Sequence, residues 1–286
     1  MRMSNRVRRT LAALAAAALV AIGSVSGAAA ANAAPLPAPA SITRMAALGD
    51  SISQALMTCS SLSGCPVNSW STGSTASVNS HLLRLKAAGA TSIVGYNDAV
   101  TGSQSSALDG QARNAVSSTQ AAQYVTIEIG ANDACTRTVA AMTPTATFKA
   151  NVQAALTTLN SVKNPPQVFV ASVPSLQRLY DVNKSSLSAR FTWSLLGICQ
   201  SMLANPTSTR AADVQRRAAV QQRVNEYNQA LSDVCTPAMN CLYDGGAIAN
   251  YAFARSDIST RDYFHPSLSG QANIAAVTWP KTQWGS

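Results

Sequence analysis

Histidine is scarce in this chain: His81 and His265 are the only two in 286 residues. Two histidines so far apart, with cysteines expected to be oxidised, leave no ligand set for a metal, and no cofactor motif stands in its place. After residue 31 no apolar run is long enough to cross a bilayer. No internal repeat breaks the chain into units, and no nucleic-acid module is visible. Acidic residues are also few, 12 against 21 Lys and Arg, for a formal charge of +9. Part of that excess sits at the amino terminus and says little about the rest.

The first residues carry Arg2, Arg6, Arg8 and Arg9, followed by an uncharged run from Leu11 to Ala31 and by Ala31-Asn32-Ala33. A basic head, an apolar middle and a small-x-small site describe a secretory signal peptide. Residues 1–33 are therefore expected to be removed, residues 34–41 to form an Ala/Pro-rich linker, and residues 42–286 to form a single domain. Without the four arginines the formal charge falls to +5, which serves solubility before any anionic partner. The mature protein is expected to be soluble, extracellular and monomeric.

All six cysteines, Cys59, Cys65, Cys135, Cys199, Cys235 and Cys241, follow the leader. An even count in an exported chain points to three disulfides, for which sequence alone allows fifteen pairings. The preferred set has Cys59–Cys65 and Cys235–Cys241 as short staples and Cys135–Cys199 as a long closure.

Strands are predicted at Ile42–Leu48, Ser92–Tyr96, Tyr124–Ile129 and Gln167–Val173, with a last short one at Cys241–Asp244. Helical patterns fall between them: from Ser51 to Met57, Ser80–Ala88, Ala107–Gln120, Phe148–Val162, and most of Ser188–Cys235. A closing helix is expected over Ser267–Trp279. Alternation of strand and helix at this spacing argues for an α/β fold with a parallel sheet and helices on both faces. In the long helical region Val214, Ala218, Val224, Tyr227, Leu231 and Val234 read as one core-facing stripe, and the arginines as a solvated face.

Three strand exits are rich in turn residues: Gly49-Asp50-Ser51, the loop through Gly102, and Gly130-Ala131-Asn132-Asp133. In a parallel sheet they share the carboxyl edge, where such proteins hold ligands. A base is supplied by His265 in Asp262-Tyr263-Phe264-His265-Pro266, just before the last helix. An acid three residues before a histidine can meet one ring nitrogen while the other faces a serine.

These four blocks, in this order, resemble those of the SGNH or GDSL hydrolases, exported actinobacterial esterases and lipases in particular. The resemblance runs from about Ile42 to Val277. It implies a flavodoxin-like three-layer α/β/α sandwich with five parallel strands in the order 2-1-3-4-5. It also implies a triad in which Ser51 is the nucleophile, His265 the general base and Asp262 its orienting acid. The oxyanion hole would be made by the backbone N–H groups of Ser51 and Gly102 and by the amide of Asn132. The Gly-x-Ser-x-Gly elbow of the other large esterase fold is absent.

The expected activity is hydrolysis of carboxylic esters without cofactor or metal. Fatty acyl esters are the first choice, carbohydrate O-acetyl esters the second, and a non-catalytic glycan- or lipid-binding module the reading from a different class. Contact with lipid or polysaccharide surfaces would be transient at most. Leu176, Leu179 and Tyr180 are candidates for an acyl pocket. Asp50 is expected to structure the elbow, Asp133 to hold its turn, and His81 to lie on the surface.

Overall fold

The computed structural model describes residues 37–285; the expected leader, residues 1–33, and the first part of the linker lie outside them. Five strands form one sheet: β1 Arg44–Gly49, β2 Val94–Asn97, β3 Tyr124–Glu128, β4 Gln167–Val170 and β5 Cys241–Tyr243. All neighbours are parallel and the order is β2-β1-β3-β4-β5. The middle strand β3 is buried along its whole length, as expected of a parallel sheet covered on both faces.

The helices are α1 His81–Ala87, α2 Leu108–Ala115, α3 Ala131–Ala134, α4 Thr145–Asn160, α5 Leu176–Asn183, α6 Leu187–Leu196, α7 Gln200–Leu203, α8 Ala211–Val234 and α9 Leu268–Thr278. Serines cap several of them: the hydroxyls of Ser80, Ser175, Ser186 and Ser267 accept from the backbone N–H three residues on, satisfying donors the helix leaves free. Helices α2, α4 and α8 pack on one another, with Phe148 and Tyr227 stacked between α4 and α8. The other layer holds α1 and α9, joined where His81 meets Thr278. Right-handed crossovers explain the split: the chain leaves β1 in one direction for β2 and returns past it to β3, so the crossover helices α2, α4 and α8 fall on the face opposite α1, and α9, which follows the last strand, returns to the α1 side. The gap between β1 and β3 is thus the point where the topology reverses.

The three disulfides are Cys59–Cys65, Cys135–Cys199 and Cys235–Cys241, and no free cysteine remains among the described residues. No helix among them is long and apolar enough to cross a membrane.

Four expectations are corrected. The stretch after Ser51 is a run of irregular turns, because Ala55 and Met57 take left-handed backbone angles, φ +49° and +67°, which no α-helix accommodates. Cys65 N–H donates to Gln54 O at 2.8 Å, folding the chain back where the Cys59–Cys65 staple closes it. On α8, Val214 and Ala218 face outward. They precede the buried Val220 and Val224 by six residues, about 240° around the helix, so they lie on a different face. The α8 arginines are not simply solvated. Arg217 is buried, stacks over the Tyr180 ring and donates to Ser208 O, while Arg216 donates to the carbonyls of Gln200, Ser201 and Ala204 at the end of α7. A guanidinium fork suits such multiple acceptance. Finally, His81 is not on the surface but fully buried, since it starts α1 facing the sheet.

Candidate active site

At the end of β1 the chain passes Gly49, whose φ is +135° and where an added Cβ would stand 2.0 Å from Glu128 O. Only glycine fits that approach between β1 and β3. Gln111 of α2 braces this point from behind: Gly49 N–H donates to its Oε1 at 2.7 Å, and its Nε2 donates to Gly49 O at 2.9 Å. Nothing in the sequence singled Gln111 out beyond being a polar residue on the buried side of a short helix. Asp50 turns the corner, accepting from Ile52 N–H at 2.8 Å, and Ser51 emerges at the carboxyl edge of the sheet.

The loop after the last strand brings the base. Asp262 Oδ1 accepts from the N–H groups of Phe264 and His265 at 3.0 and 3.1 Å, with Tyr263 in the left-handed region between them. The turn therefore presents Asp262 Oδ2 to His265 Nδ1 at 2.5 Å, and His265 Nε2 lies 2.8 Å from Ser51 Oγ. An ionised carboxylate only accepts, so Nδ1 carries the hydrogen and Nε2 is left to accept from the serine hydroxyl. Ser259 N–H donates to His265 O and Ile258 bridges Pro266, which pins the loop on both sides of the ring.

Asn132 stands at the end of β3, after Gly130. That glycine has φ +130°, and an added Cβ would stand 2.7 Å from Val173 Cγ2. The Asn132 Nδ2 group donates to Ser103 O at 2.9 Å and to Asp50 Oδ2 at 3.2 Å. Asp133, as expected, is structural: its two oxygens accept from the N–H and hydroxyl of Ser105, stitching the loop after β2 to the exit of β3. Gly102 lies in that loop, exposed, with φ +81°, beside the turn in which Ser103 N–H donates to Val100 O. The structure thus gathers Ser51, His265, Asp262 and Asn132 at one point. Gly102 stays on the neighbouring exit, outside the cleft lining.

Two further acids lie under the site. Asp50 is fully buried, and burial pushes its carboxyl up to about 7 against the pull of Ile52 N–H and of His265. Glu128, at the end of β3, is buried with both oxygens unpartnered by protein. Burial drives its pKa well above the ordinary carboxyl range, and the charges of Asp50 and Asp244 push the same way. The neutral form is therefore the favoured one in the fold. The only sequence signal for it was an acid inside the otherwise uncharged strand Tyr124–Ile129.

The cleft beside Ser51 and His265 is apolar, lined by Leu176 and Leu179 of α5 together with Pro174, Phe253, Ile258 and Phe264. Tyr180 is not part of it; its hydroxyl donates to Pro206 O on the other side of α5. Phe253 and Ile258 come from irregular chain before the His265 loop, where no periodicity marks them. Among the described residues no group of three or more His, Cys, Asp or Glu side chains is placed to hold a metal.

Residues 47–272 match the GDSL-like Lipase/Acylhydrolase family. No curated protein matches the chain significantly by sequence. Among solved structures, an alpha/beta hydrolase enzyme from the metagenome of Lake Arreo, Spain, aligns with a TM-score of 0.53 and 16% identity over 85% of this chain and 96% of that one. An acetyl xylan esterase from Geobacillus stearothermophilus aligns with a TM-score of 0.49 and 14% identity over 85% and 96%. A psychrotrophic esterase from Pseudoalteromonas sp. gives 0.45 and 14% over 83% and 94%. The first of these bears on the fold alone.

Proposed function

The chain belongs to the GDSL-like lipase/acylhydrolase family, and from that membership we propose that it is a serine esterase acting on fatty acyl carboxylic esters. The observation that carries the reading is the unbroken line from Asp262 Oδ2 through His265 to Ser51 Oγ, at 2.5 and 2.8 Å, opening on an apolar cleft.

In this reading Ser51 Oγ attacks the ester carbonyl carbon as its proton passes to His265 Nε2, and Asp262 holds the imidazolium that forms. The oxyanion is met by the Ser51 N–H and by Asn132 Nδ2, and the loop through Gly102 would have to move toward the cleft to add a third N–H. Both hydrogens of that amide are engaged at rest, so one must turn to the oxyanion; the contact with Asp50, the longer of the two, is the one to yield. Collapse of the tetrahedral intermediate breaks the C–O bond, and His265 gives its proton to the leaving alkoxide. Water, activated by the same histidine, then releases the acid from Ser51. No step needs a metal or cofactor.

Leu176, Leu179, Phe253 and Phe264 beside the serine favour an acyl chain over an acetyl group on a sugar, because a long chain gains by burying apolar surface there. Three disulfides and the absence of a membrane-crossing helix among the described residues are compatible with export. The proposal therefore includes an exported monomer without a nucleic-acid partner, akin to actinobacterial esterases and lipases. A chain-length series of p-nitrophenyl esters run beside acetylated xylan tests it. Preference for medium or long acyl chains is expected; turnover confined to acetyl groups on the polysaccharide would move the protein to the O-acetyl esterases.

A further inference from the structure

Helix α6, Leu187–Leu196, shows an unusual face to water. Leu187, Phe191 and Leu195, spaced i, i+4 and i+8, are 75%, 68% and 68% exposed, and Leu196 adds 59% at the end. That spacing puts the first three on one stripe. The opposite side carries Ala189 and Trp193, both buried. The helix is thus amphipathic twice over, with an apolar side that packs and an apolar side that nothing in the chain covers. No other helix or strand among the described residues carries more than one large exposed apolar side chain. Contiguous apolar patches of this kind mark contact surfaces, whereas single exposed residues do not.

Three links place α6 at the rim of the candidate active site. The indole N–H of Trp193 donates to Tyr263 O at 3.1 Å, two residues before His265. The helix just before it, α5, supplies Leu176 and Leu179 to the apolar cleft. Just after it, Cys199 is bonded to Cys135, three residues beyond Asn132. Whatever seats the exposed stripe is therefore held beside the site.

Charge indicates what that is. Between Asp181 and Asp213 the chain has no acidic residue, but it carries Lys184, Arg190 and Arg210. Lys184, Arg190 and the buried Arg217 line a shallow cleft alongside α5 and α8, where Asp181 is the one carboxylate. Lys184 pairs with Asp181 at 2.7 Å and Arg217 is held against the Tyr180 ring, leaving Arg190, on α6 itself, as the cation there with no carboxylate partner among the described residues. An apolar ridge in a stretch with basic but no acidic residues suits the boundary between headgroups and acyl chains of an anionic lipid surface. We propose that α6 docks the protein on such a surface and presents the cleft beside Ser51 to acyl chains at the interface. The purpose of docking rests on the acyl-ester reading; the docking itself does not.

The test uses vesicles of ether-linked lipids, which offer no ester to cleave. Flotation of residues 34–286, without the basic and apolar leader, with mixed phosphatidylcholine–phosphatidylglycerol ether vesicles should show binding that weakens with salt and is poorer on pure phosphatidylcholine ether vesicles. The double variant Phe191→Ser, Leu195→Ser should bind roughly 100-fold more weakly, about tenfold for each apolar side chain withdrawn from the interface. Its turnover of a soluble p-nitrophenyl ester and its melting temperature should match the parent's, since both residues are exposed. A parent that does not bind, or a double variant that binds as well, overturns the proposal. So does a dimer in sedimentation that the double variant dissociates, because the stripe would then belong to a second copy. Failure of the parent to cleave any soluble ester would instead count against the esterase reading and leave the docking result standing.

Discussion

The two histidines occupy opposite settings, and the contrast shows how surroundings assign a role to one kind of side chain. His265 sits at the carboxyl edge of the sheet, 13% exposed, between a carboxylate and a serine hydroxyl. His81 is fully buried against the start of β3, boxed by Trp70, Tyr124, Phe169 and Trp279. Its ring nitrogens meet only hydroxyls, Tyr124 OH and Thr278 Oγ1, each at 2.9 Å. The Thr278 hydrogen goes to Ile274 O at 2.6 Å, so Nε2–H donates to Thr278 and Nδ1 accepts from Tyr124. Every hydrogen has a place, and none can be passed to solvent. Burial lowers this ring to about 3, with Arg84 acting in the same direction. One histidine is placed to move a proton; the other is a neutral bridge between two layers.

The sharpest way to break that contrast is to remove each working group in turn. Ser51→Ala or His265→Ala should reduce turnover of p-nitrophenyl esters by about 10⁵-fold or more, as groups acting as a unit do. His81→Gln should leave turnover within about threefold at pH 7.5, because that ring lies in the α1–α9 layer and touches no residue of the cleft. Fluorophosphonate labelling followed by peptide mapping checks the first claim: capture at a serine other than Ser51 overturns it. A large loss of activity in the His81 variant with its fold intact would erase the distinction between the two sites.

A smaller effect separates the proposed oxyanion donor from the proposed triad. Asn132→Ala should cost about 10² to 10³-fold in kcat with KM little changed. Asn132 also ties Asp50 to Ser103, so its loss has a second route to activity, through the elbow. Asp50→Asn distinguishes the two, since it sets an NH2 donor against Ile52 N–H or Asn132 Nδ2, which both donate to Asp50, and so disturbs the elbow while keeping residue 132 an amide. A loss in Asn132→Ala below tenfold, or one that Asp50→Asn reproduces, would make Asn132 a positioning residue.

The settings of the two histidines were not equally legible in the sequence. His265 was readable because its partner is local: Asp262 lies three residues away, and the turn between them uses only its own backbone. Gly49, Ser51 and Asn132 were readable because strand exits are marked by glycine and turn residues. The setting of His81 is not local, because its partners are remote, Tyr124 and Thr278 being 43 and 197 residues away, and a polar residue after a polar loop looks exposed without them. The same holds for Gln111, which braces Gly49 from 62 residues away, and for Arg217. The turns after Ser51 look like a helix by composition, and only the left-handed angles at Ala55 and Met57 say otherwise.

The smallest effect is thermodynamic and isolates His81. A ring held near 3 in the fold and near 6.5 when unfolded binds its proton more readily in the unfolded chain between those values. Its contribution to stability is therefore complete above pH 6.5 and is lost as pH falls from 6.5 toward 3. The slope approaches about 1.4 kcal/mol per pH unit, so roughly 2 kcal/mol is gone by pH 5. Asp50 and Glu128, both raised by burial, act in the opposite direction: the fold holds their protons more tightly and is favoured as pH falls. The parent's own pH profile mixes these opposed contributions, but the difference between parent and His81→Gln does not, since the two acids are common to both. Urea unfolding should find the variant less stable by about 2 kcal/mol at pH 7.5, the cost of disturbing two buried hydrogen bonds. At pH 5 that gap should shrink to near zero, because only the parent carries the histidine that protonates on unfolding. A gap of equal size at both pH values would mean that His81 keeps an ordinary affinity for its proton in the fold, and the neutral bridge would have to be abandoned.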